Sequence, residues 1–250
     1  MAENRKVIVR VKRQNGPKDS PRWEEFALPW RPSMNVIICL RDIAENPVTR
    51  SGKKTTPISY DSNCLEEVCG SCAMLINGRA RMACSALVDQ LDQPIRIEPL
   101  SKFPVVRDLT VDRQFMFESL KRVKAWIPID GTYDLGEGPR MSSEVQQKAY
   151  PLSRCISCGN CLEVCPQVNE HSDFIGAAIL SQVRLFNMHP TGAMHAKERI
   201  RGVMGHGGVE DCANAQNCVK ACPKEIPLTE SIAEVNRQAW KLALLGWLIG

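Results

Sequence analysis

The stretch from Cys155 to Pro166 reads CISCGNCLEVCP, four cysteines separated by two, two and three residues and closed by proline. That spacing is an iron-sulfur ligand run. Three thiolates within seven residues can wrap one face of a compact cube of iron and sulfide, while the fourth is carried onto the helix expected to follow. In chains with two such clusters the fourth cysteine binds the other one. Cys165 therefore predicts a second cluster, whose remaining ligands must come from elsewhere in the chain. Cys212, Cys218 and Cys222 form a second group, which again ends in proline, Pro223.

The second group is informative for what it lacks. A full run beginning at Cys212 needs a cysteine at position 215, and the residue there is Ala215. If Cys222 crosses to the first cluster and Cys165 to the second, the first holds Cys155, Cys158, Cys161 and Cys222. The second then holds only Cys165, Cys212 and Cys218. Three thiolates suit a 3Fe-4S cluster. The competing arrangement is a 4Fe-4S cluster whose fourth iron takes water, Asp211 or Asn214.

Upstream, Cys64, Cys69 and Cys72 fall at spacings of four and two, the plant-type 2Fe-2S pattern, and Cys84 follows after eleven more residues. A hairpin accounts for that gap. Asn77-Gly78 is a strong two-residue turn signal, so Ala73 to Ile76 pairs back onto Arg79 to Met82. Ile76 then faces Arg79, Cys72 faces Ala83, and Cys84 returns to the mouth of the Cys64–Cys72 loop. Gly70, between two ligands, serves either a backbone pressed close to a cluster or an ordinary turn. Zinc is the structural alternative for any four-cysteine set, but it usually draws on two short Cys-x-x-Cys knuckles from separate loops. Here three ligands crowd one loop. Cys39, alone among hydrophobic residues, reads as core.

Composition agrees with metal rather than disulfides. The 250 residues include twelve cysteines, and the N-terminus MAENRKVIVRVKR has no apolar run suited to secretion. The formal net charge of +4 becomes mildly negative once three clusters, each carrying roughly two negative charges with its thiolates, are counted. Lys and Arg are dispersed without aromatic interleaving, so no nucleic-acid partner is expected. No stretch reaches the roughly 18 to 20 apolar residues of a membrane span. The C-terminal AWKLALLGWLIG reads either as a packed helix end or as an interfacial helix anchored by Trp240 and Trp247.

Alternation of Val7, Val9 and Val11 predicts a strand, with a second at Trp23 to Leu28 closing a hairpin. Ser33 is the expected cap of a short helix carrying Ile37, Leu40 and Ile43. Periodicity lengthens after FPVVRDLTVD, Phe103 to Asp112, into a helical pattern of Phe115, Phe117, Leu120 and Val123. The expected domains are therefore residues 1–107 and 108–250. LKRVK, Leu120 to Lys124, reads as a solvated helix face, and Asp130 to Arg140 as a turn-rich connection. Further helices are expected at Phe174 to Phe186, Met194 to Val203, and from Ser231 with a Ser231/Glu234 capping box. Arg79 and Arg81 are candidates for raising the 2Fe-2S potential above the roughly −400 mV of plant-type centres, unless they are plain exposed hairpin arginines.

CLEEVCGSC with Cys84, then FPVVRDLTVD, CISCGNCLEVCP and CANAQNCVKACP, in this order, closely resemble the iron-sulfur subunits of succinate dehydrogenase and fumarate reductase. The resemblance implies an α+β chain, a β-grasp 2Fe-2S ferredoxin-like domain followed by an all-α dicluster ferredoxin domain. It implies clusters of 2Fe-2S, 4Fe-4S and 3Fe-4S forming a wire, and no catalytic residue on this chain. It also implies two partners. One is a flavoprotein with covalent FAD where succinate is oxidised; the other is a membrane anchor where quinone is reduced. Pro166 matches the proline beside the terminal cluster. Ubiquinone-using relatives have a tryptophan pair where this chain has Asn169 and Glu170, and a histidine where it has Ala213. The chain thus looks more like the menaquinone-linked group, anchored by a di-haem cytochrome b at the cytoplasmic face of the cell membrane.

Overall fold

The computed structural model describes residues 5–127 and 138–249. The chain begins with strands β1 (Lys6–Arg13) and β2 (Arg22–Pro29), helix α1 (Val36–Glu45), and strands β3 (Ala73–Ile76), β4 (Arg79–Met82) and β5 (Ile95–Glu98). A small hairpin follows, β6 (Val105–Arg107) with β7 (Thr110–Val111). Beyond it come α2 (Gln114–Arg122), α3 (Ser143–Ser153) and α4 (Asn160–Glu163), then the hairpin β8 (Val168–Asn169) with β9 (Ser172–Asp173). Helices α5 (Ala177–Met188), α6 (Ala196–Gly202), α7 (Asn217–Ala221) and α8 (Leu228–Ile249) complete the chain. Its contacts divide it into two compact bodies. One holds residues 1–113 together with Ile156–Glu163; the other holds Gln114–Cys155 and Val164–Gly250. The division thus falls after Arg113, where the sequence places it near 107, and a stretch of the second half belongs with the first.

The first body is built on a mixed five-stranded sheet in the order β2-β1-β5-β3-β4. β1 runs antiparallel to β2 and parallel to β5, and β3 pairs antiparallel with both β5 and β4. This is the expected β-grasp arrangement. Alternation along β1 turns Val7, Val9 and Val11 fully inward, and α1 buries an apolar stripe that includes Ile37, Leu40 and Ile43. Cys39 lies in that stripe, fully buried, and burial pushes its thiol up to about 12. The same period of two carries Arg13 inward as well. Its guanidinium is answered by Asp108 at 2.9 and 3.1 Å and Glu24 at 2.6 Å.

Two expectations about α1 and the join are corrected. Ser33 takes a left-handed backbone (φ 60°) and caps nothing. The cap is Asn35, whose side chain accepts from the Ile38 N–H at 2.9 Å. On α2 the buried residues are Met116 and Ser119, whereas Phe115 and Phe117 are exposed. Lys121, Arg122 and Lys124 are exposed, as a solvated face requires.

Among its described residues, the second body's regular structure is helical apart from the β8–β9 hairpin. α5 lies at its centre, with buried Ile179, Leu180 and Val183, and packs against α8, α3 and α6. α8 begins at Leu228 rather than near Ser231, so the Ser231/Glu234 capping box does not form. Ser231 is instead buried against Ser181, with hydroxyl oxygens 3.5 Å apart, and its hydroxyl donates to the Pro227 carbonyl at 3.1 Å. Two small residues let the helices approach. Arg199 on α6 is buried to 1% exposure and donates to the carbonyls of Lys124, Trp126 and Gly192 and to the Asn187 side chain. Most of the expected connection over 130–140 lies outside the described residues. Among the described residues no helix is long and apolar enough to cross a membrane. Trp240 is exposed; Trp247 lies outside the residues whose side chains are described.

Candidate metal centres

None of the twelve cysteines is joined in a disulfide. Four of them, Cys64, Cys69, Cys72 and Cys84, lie in the first body. The Asn77-Gly78 turn forms as its residues dictate, pairing Ile76 with Arg79 and Ala73 with Met82. The ladder continues with the Ala83 N–H donating to the Cys72 carbonyl at 3.0 Å, which returns Cys84 to the loop bearing the other three. Asn35, besides capping α1, donates its amide to the Cys84 carbonyl at 2.9 Å. A core helix therefore holds the fourth ligand in place.

The loop itself is shaped for an anionic sulfur. Leu65 and Glu67 both adopt left-handed backbones (φ 61° and 57°), and the N–H groups of Glu66, Val68 and Cys69 converge on Cys64 Sγ at 3.4, 3.2 and 3.3 Å. Such a nest of amides stabilises negative charge. Burial pushes the Cys69 thiol up, but hydrogen bonding with Cys64 and Ser71 outweighs it and leaves the thiol at about 6. Cys69 Sγ and Ser71 Oγ are 3.0 Å apart. Cys84 behaves oppositely: burial, then a hydrogen bond shared with Cys72, pushes it up to about 12. Of the two thiols Cys69 ionises the more readily, and bound metal would have to displace the proton of Cys84. This donor set fits a 2Fe-2S cluster. Arg81 is half-buried and Arg79 exposed on the hairpin.

The CISCGNCLEVCP stretch divides between the bodies. Cys158 and Cys161 belong with the first, whereas Cys155, Cys165 and Cys222 belong with the second. Left-handed Ser157 and Gly159 (φ 49° and 86°) curl the run, and Cys161 sits on α4. Glu163, at the end of α4, anchors this segment by accepting from Ser101 Oγ at 2.5 Å and from the Lys102 N–H at 3.1 Å. Asn160 is buried, and its Oδ1 has no partner. A buried amide with unmet capacity between two ligands suits a sulfide acceptor, with the amide turned to present its NH2. Cys165 lies two residues beyond the end of α4 rather than on a following helix.

Cys165, Cys212 and Cys218 line one small cavity of the second body, together with Pro166, Asn214 and Ala215. Burial and the charges of Cys165 and Cys212 push the Cys218 thiol up, as expected of sulfurs that share a site. Left-handed Asn214 and Gln216 (φ 53° and 60°) flank Ala215. Asp211 does not line the cavity; its carboxylate accepts from the Gly207 N–H at 2.7 Å. Asn214, the other side chain named as a possible fourth ligand, does line it, beside the three thiols and Ala215. Among the described residues no three His, Cys, Asp or Glu side chains close on a lone metal ion.

Comparison with known proteins fits this architecture. Residues 8–118 match the family model for a 2Fe-2S iron-sulfur cluster binding domain, and residues 151–226 match that for a 4Fe-4S dicluster domain. The fold and the ligand loops thus define an iron-sulfur protein with a 2Fe-2S domain followed by a dicluster domain. The chain is 59% identical over 237 residues to the succinate dehydrogenase iron-sulfur subunit of Bacillus subtilis, covering 95% of this chain and 94% of that one. It is 33% identical over 221 residues to the fumarate reductase iron-sulfur subunit of Wolinella succinogenes, covering 87% and 90%. A chain of the Mycobacterium smegmatis Sdh1 complex in the apo form shares the fold, with a TM-score of 0.78 at 24% identity over 94% of this chain and 95% of that one. This chain belongs to the family of succinate dehydrogenase iron-sulfur subunits, electron-transfer subunits of an oxidoreductase.

Arg113 is the functional candidate that sequence reading missed. Its guanidinium donates to the Gly70 carbonyl at 2.9 Å and the Ser71 carbonyl at 2.8 Å. No local pattern announces it, because its partners are backbone atoms more than forty positions upstream.

Proposed function

We propose that this chain carries electrons from the FAD of a flavoprotein partner to a membrane quinone. Cys64, Cys69, Cys72 and Cys84 hold a 2Fe-2S cluster, and Cys155, Cys158, Cys161 and Cys222 a 4Fe-4S cluster. Cys165, Cys212 and Cys218 hold a 3Fe-4S cluster. The bound clusters supply one-electron transfer; the chain's residues set their order, spacing and potential. By their motifs residues 1–107 carry the plant-type ligand set and 108–250 the dicluster set, whereas the compact bodies divide after Arg113 and the first takes in Ile156–Glu163. The exposed Leu65 and Val68 beside the first ligand loop suit docking against the flavoprotein.

The observation that carries the terminal assignment is the cavity shared by Cys165, Cys212 and Cys218 with Ala215 between its cysteines. Pro166 on the same wall is the quinone-proximal residue. Asn169 and Glu170 follow it, and Ala213 follows Cys212; these polar and small residues, in place of the aromatic and histidine groups of ubiquinone-using relatives, favour menaquinone. The anchor is a cytochrome b with haem, and the chain sits at the cytoplasmic face of the cell membrane, within the respiratory chain. A second reading, quinol:fumarate reduction by the same subunit, is supported by the relative in Wolinella succinogenes. The purified complex tests this. Roughly nine non-haem irons per copy of this chain and a paramagnetic 3Fe-4S signal in the oxidised state are expected, with succinate oxidation coupled to naphthoquinones. An oxidised complex that lacks the 3Fe-4S signal, whatever its ferric haem contributes, would remove the 3Fe-4S assignment, and efficient reduction of ubiquinone analogues with none of naphthoquinones would remove menaquinone.

A further inference from the structure

Gly70 lies between the ligands Cys69 and Cys72, in the left-handed region at φ 76°. A Cβ on it would collide with the carbonyl oxygen of Ile156 and crowd the N and Cα of Cys158, both at 3.2 Å. The loop that carries two ligands of the first cluster therefore meets the loop that carries Cys158 backbone to backbone, with no side chain between. This contact lies within the first body, to which Ile156–Glu163 belongs. Arg113 grips the same point, donating Nη1 to the Gly70 carbonyl and Nη2 to the Ser71 carbonyl. These are the two residues that separate Cys69 from Cys72. A guanidinium is a rigid, permanently charged fork, so the pair of bonds fixes both peptide planes at once.

We propose that Arg113 is a positioning residue for the electron relay: by holding Gly70 and Ser71 it seats the 2Fe-2S ligand loop against Ile156–Cys158 and sets the separation of the first two clusters. The proposal rests on the assignment of Cys64, Cys69, Cys72 and Cys84 to one cluster and of Cys158 and Cys161 to the next. The same guanidinium leaves a fixed positive charge beside the first ligand loop. A positive charge favours the more negative, reduced form of that cluster and so raises its midpoint potential.

The test compares wild-type complex with R113Q and R113K by iron content, redox titration of the 2Fe-2S EPR signal, and power saturation of that signal with the 4Fe-4S cluster reduced. Saturation reports separation, because a nearby paramagnetic cluster speeds relaxation. R113Q is expected to retain the three clusters and to saturate at lower power. Its reduced-to-oxidised ratio at fixed potential should fall about tenfold, which is about 59 mV for a one-electron couple. R113K keeps the charge but not the fork, and should hold the midpoint while its saturation lies between the other two. Loss of the 2Fe-2S signal alone in R113Q, restored in R113K, also supports the proposal. Full clusters in R113Q with wild-type midpoint and saturation would overturn it. So would loss of all three clusters in both variants, which marks a general folding role. Wild-type complex without a 2Fe-2S signal would overturn the underlying cluster assignment instead.

Discussion

Asp108 and Arg13 share the most fully enclosed ion pair described in the first body, both side chains at 0% exposure. Asp108 also accepts from the N–H groups of Gln14 and Ser59 at 3.0 Å. Burial alone would push its carboxyl up, but the Arg13 hydrogen bonds and these two amides outweigh it and hold it below the usual carboxylate range. A depressed folded value means the stabilisation is complete above the unfolded value, about 3.9, and is lost as pH falls through the lower folded one. Asp108→Asn should destabilise the protein by about 1–3 kcal/mol at neutral pH, since it removes a charge-assisted partner from Arg13, which Glu24 still neutralises, and should flatten the acid limb. Denaturant unfolding from pH 7 down to 3 measures both effects. Cys39 is the contrasting residue. With its thiol pushed up to about 12 it remains protonated and inert at pH 8. Cys39→Ala should cost about 1 kcal/mol, the scale of one buried group, and leave iron content unchanged. Lost iron in that variant would make Cys39 a ligand.

Among the described α-helices, α4 is the shortest, and its four residues carry Cys161. Too short to stand on its own hydrogen bonds, it depends on Glu163. Glu163→Ala removes the acceptor of the Ser101 hydroxyl and the Lys102 N–H, at about 1 kcal/mol each where solvent reaches the donors, and should lower 4Fe-4S occupancy while sparing the 2Fe-2S signal. Iron analysis with EPR separates the two. How far each element could be read from sequence follows the range of the forces that make it. The β3–β4 hairpin and the return of Cys84 to the loop of Cys64, Cys69 and Cys72 were legible, because an Asn-Gly turn and a cysteine spacing are local signals that agree. The start of α1 was not. Ser33 and Asn35 both have capping side chains, and only Asn35 also reaches the Cys84 carbonyl, 49 positions away. α3 went unread because its buried residue is Leu152 alone, beside an internal Pro151, so no apolar stripe marks it. Arg13 was hidden for a similar reason, as alternation predicts an inward residue at 13 but cannot supply Asp108.

At the scale of the molecule, folding and cluster assembly are linked equilibria. Ligand thiols must lose protons to bind iron, and burial holds Cys84 and Cys218 up against that loss. Reconstitution of the iron-free chain with ferrous iron and sulfide should therefore be more complete at pH 8 than at pH 6, and the iron-free chain should unfold at a lower temperature. Iron content and thermal unfolding check the pair; equal reconstitution at both pH values would reject the linkage. Cys155 and Cys158 stand three positions apart in the chain yet fall in different bodies, which a linear division into domains does not anticipate. That interleaving has a consequence for synthesis. Residues 1–113 leave the ribosome first, but the body they build also needs Ile156–Glu163, about fifty residues later. At ~5–20 residues per second the nascent sheet waits roughly 3–10 s with its last piece untranslated. During that interval Gly70 lacks the Ile156 and Cys158 backbone that packs on it in the finished fold.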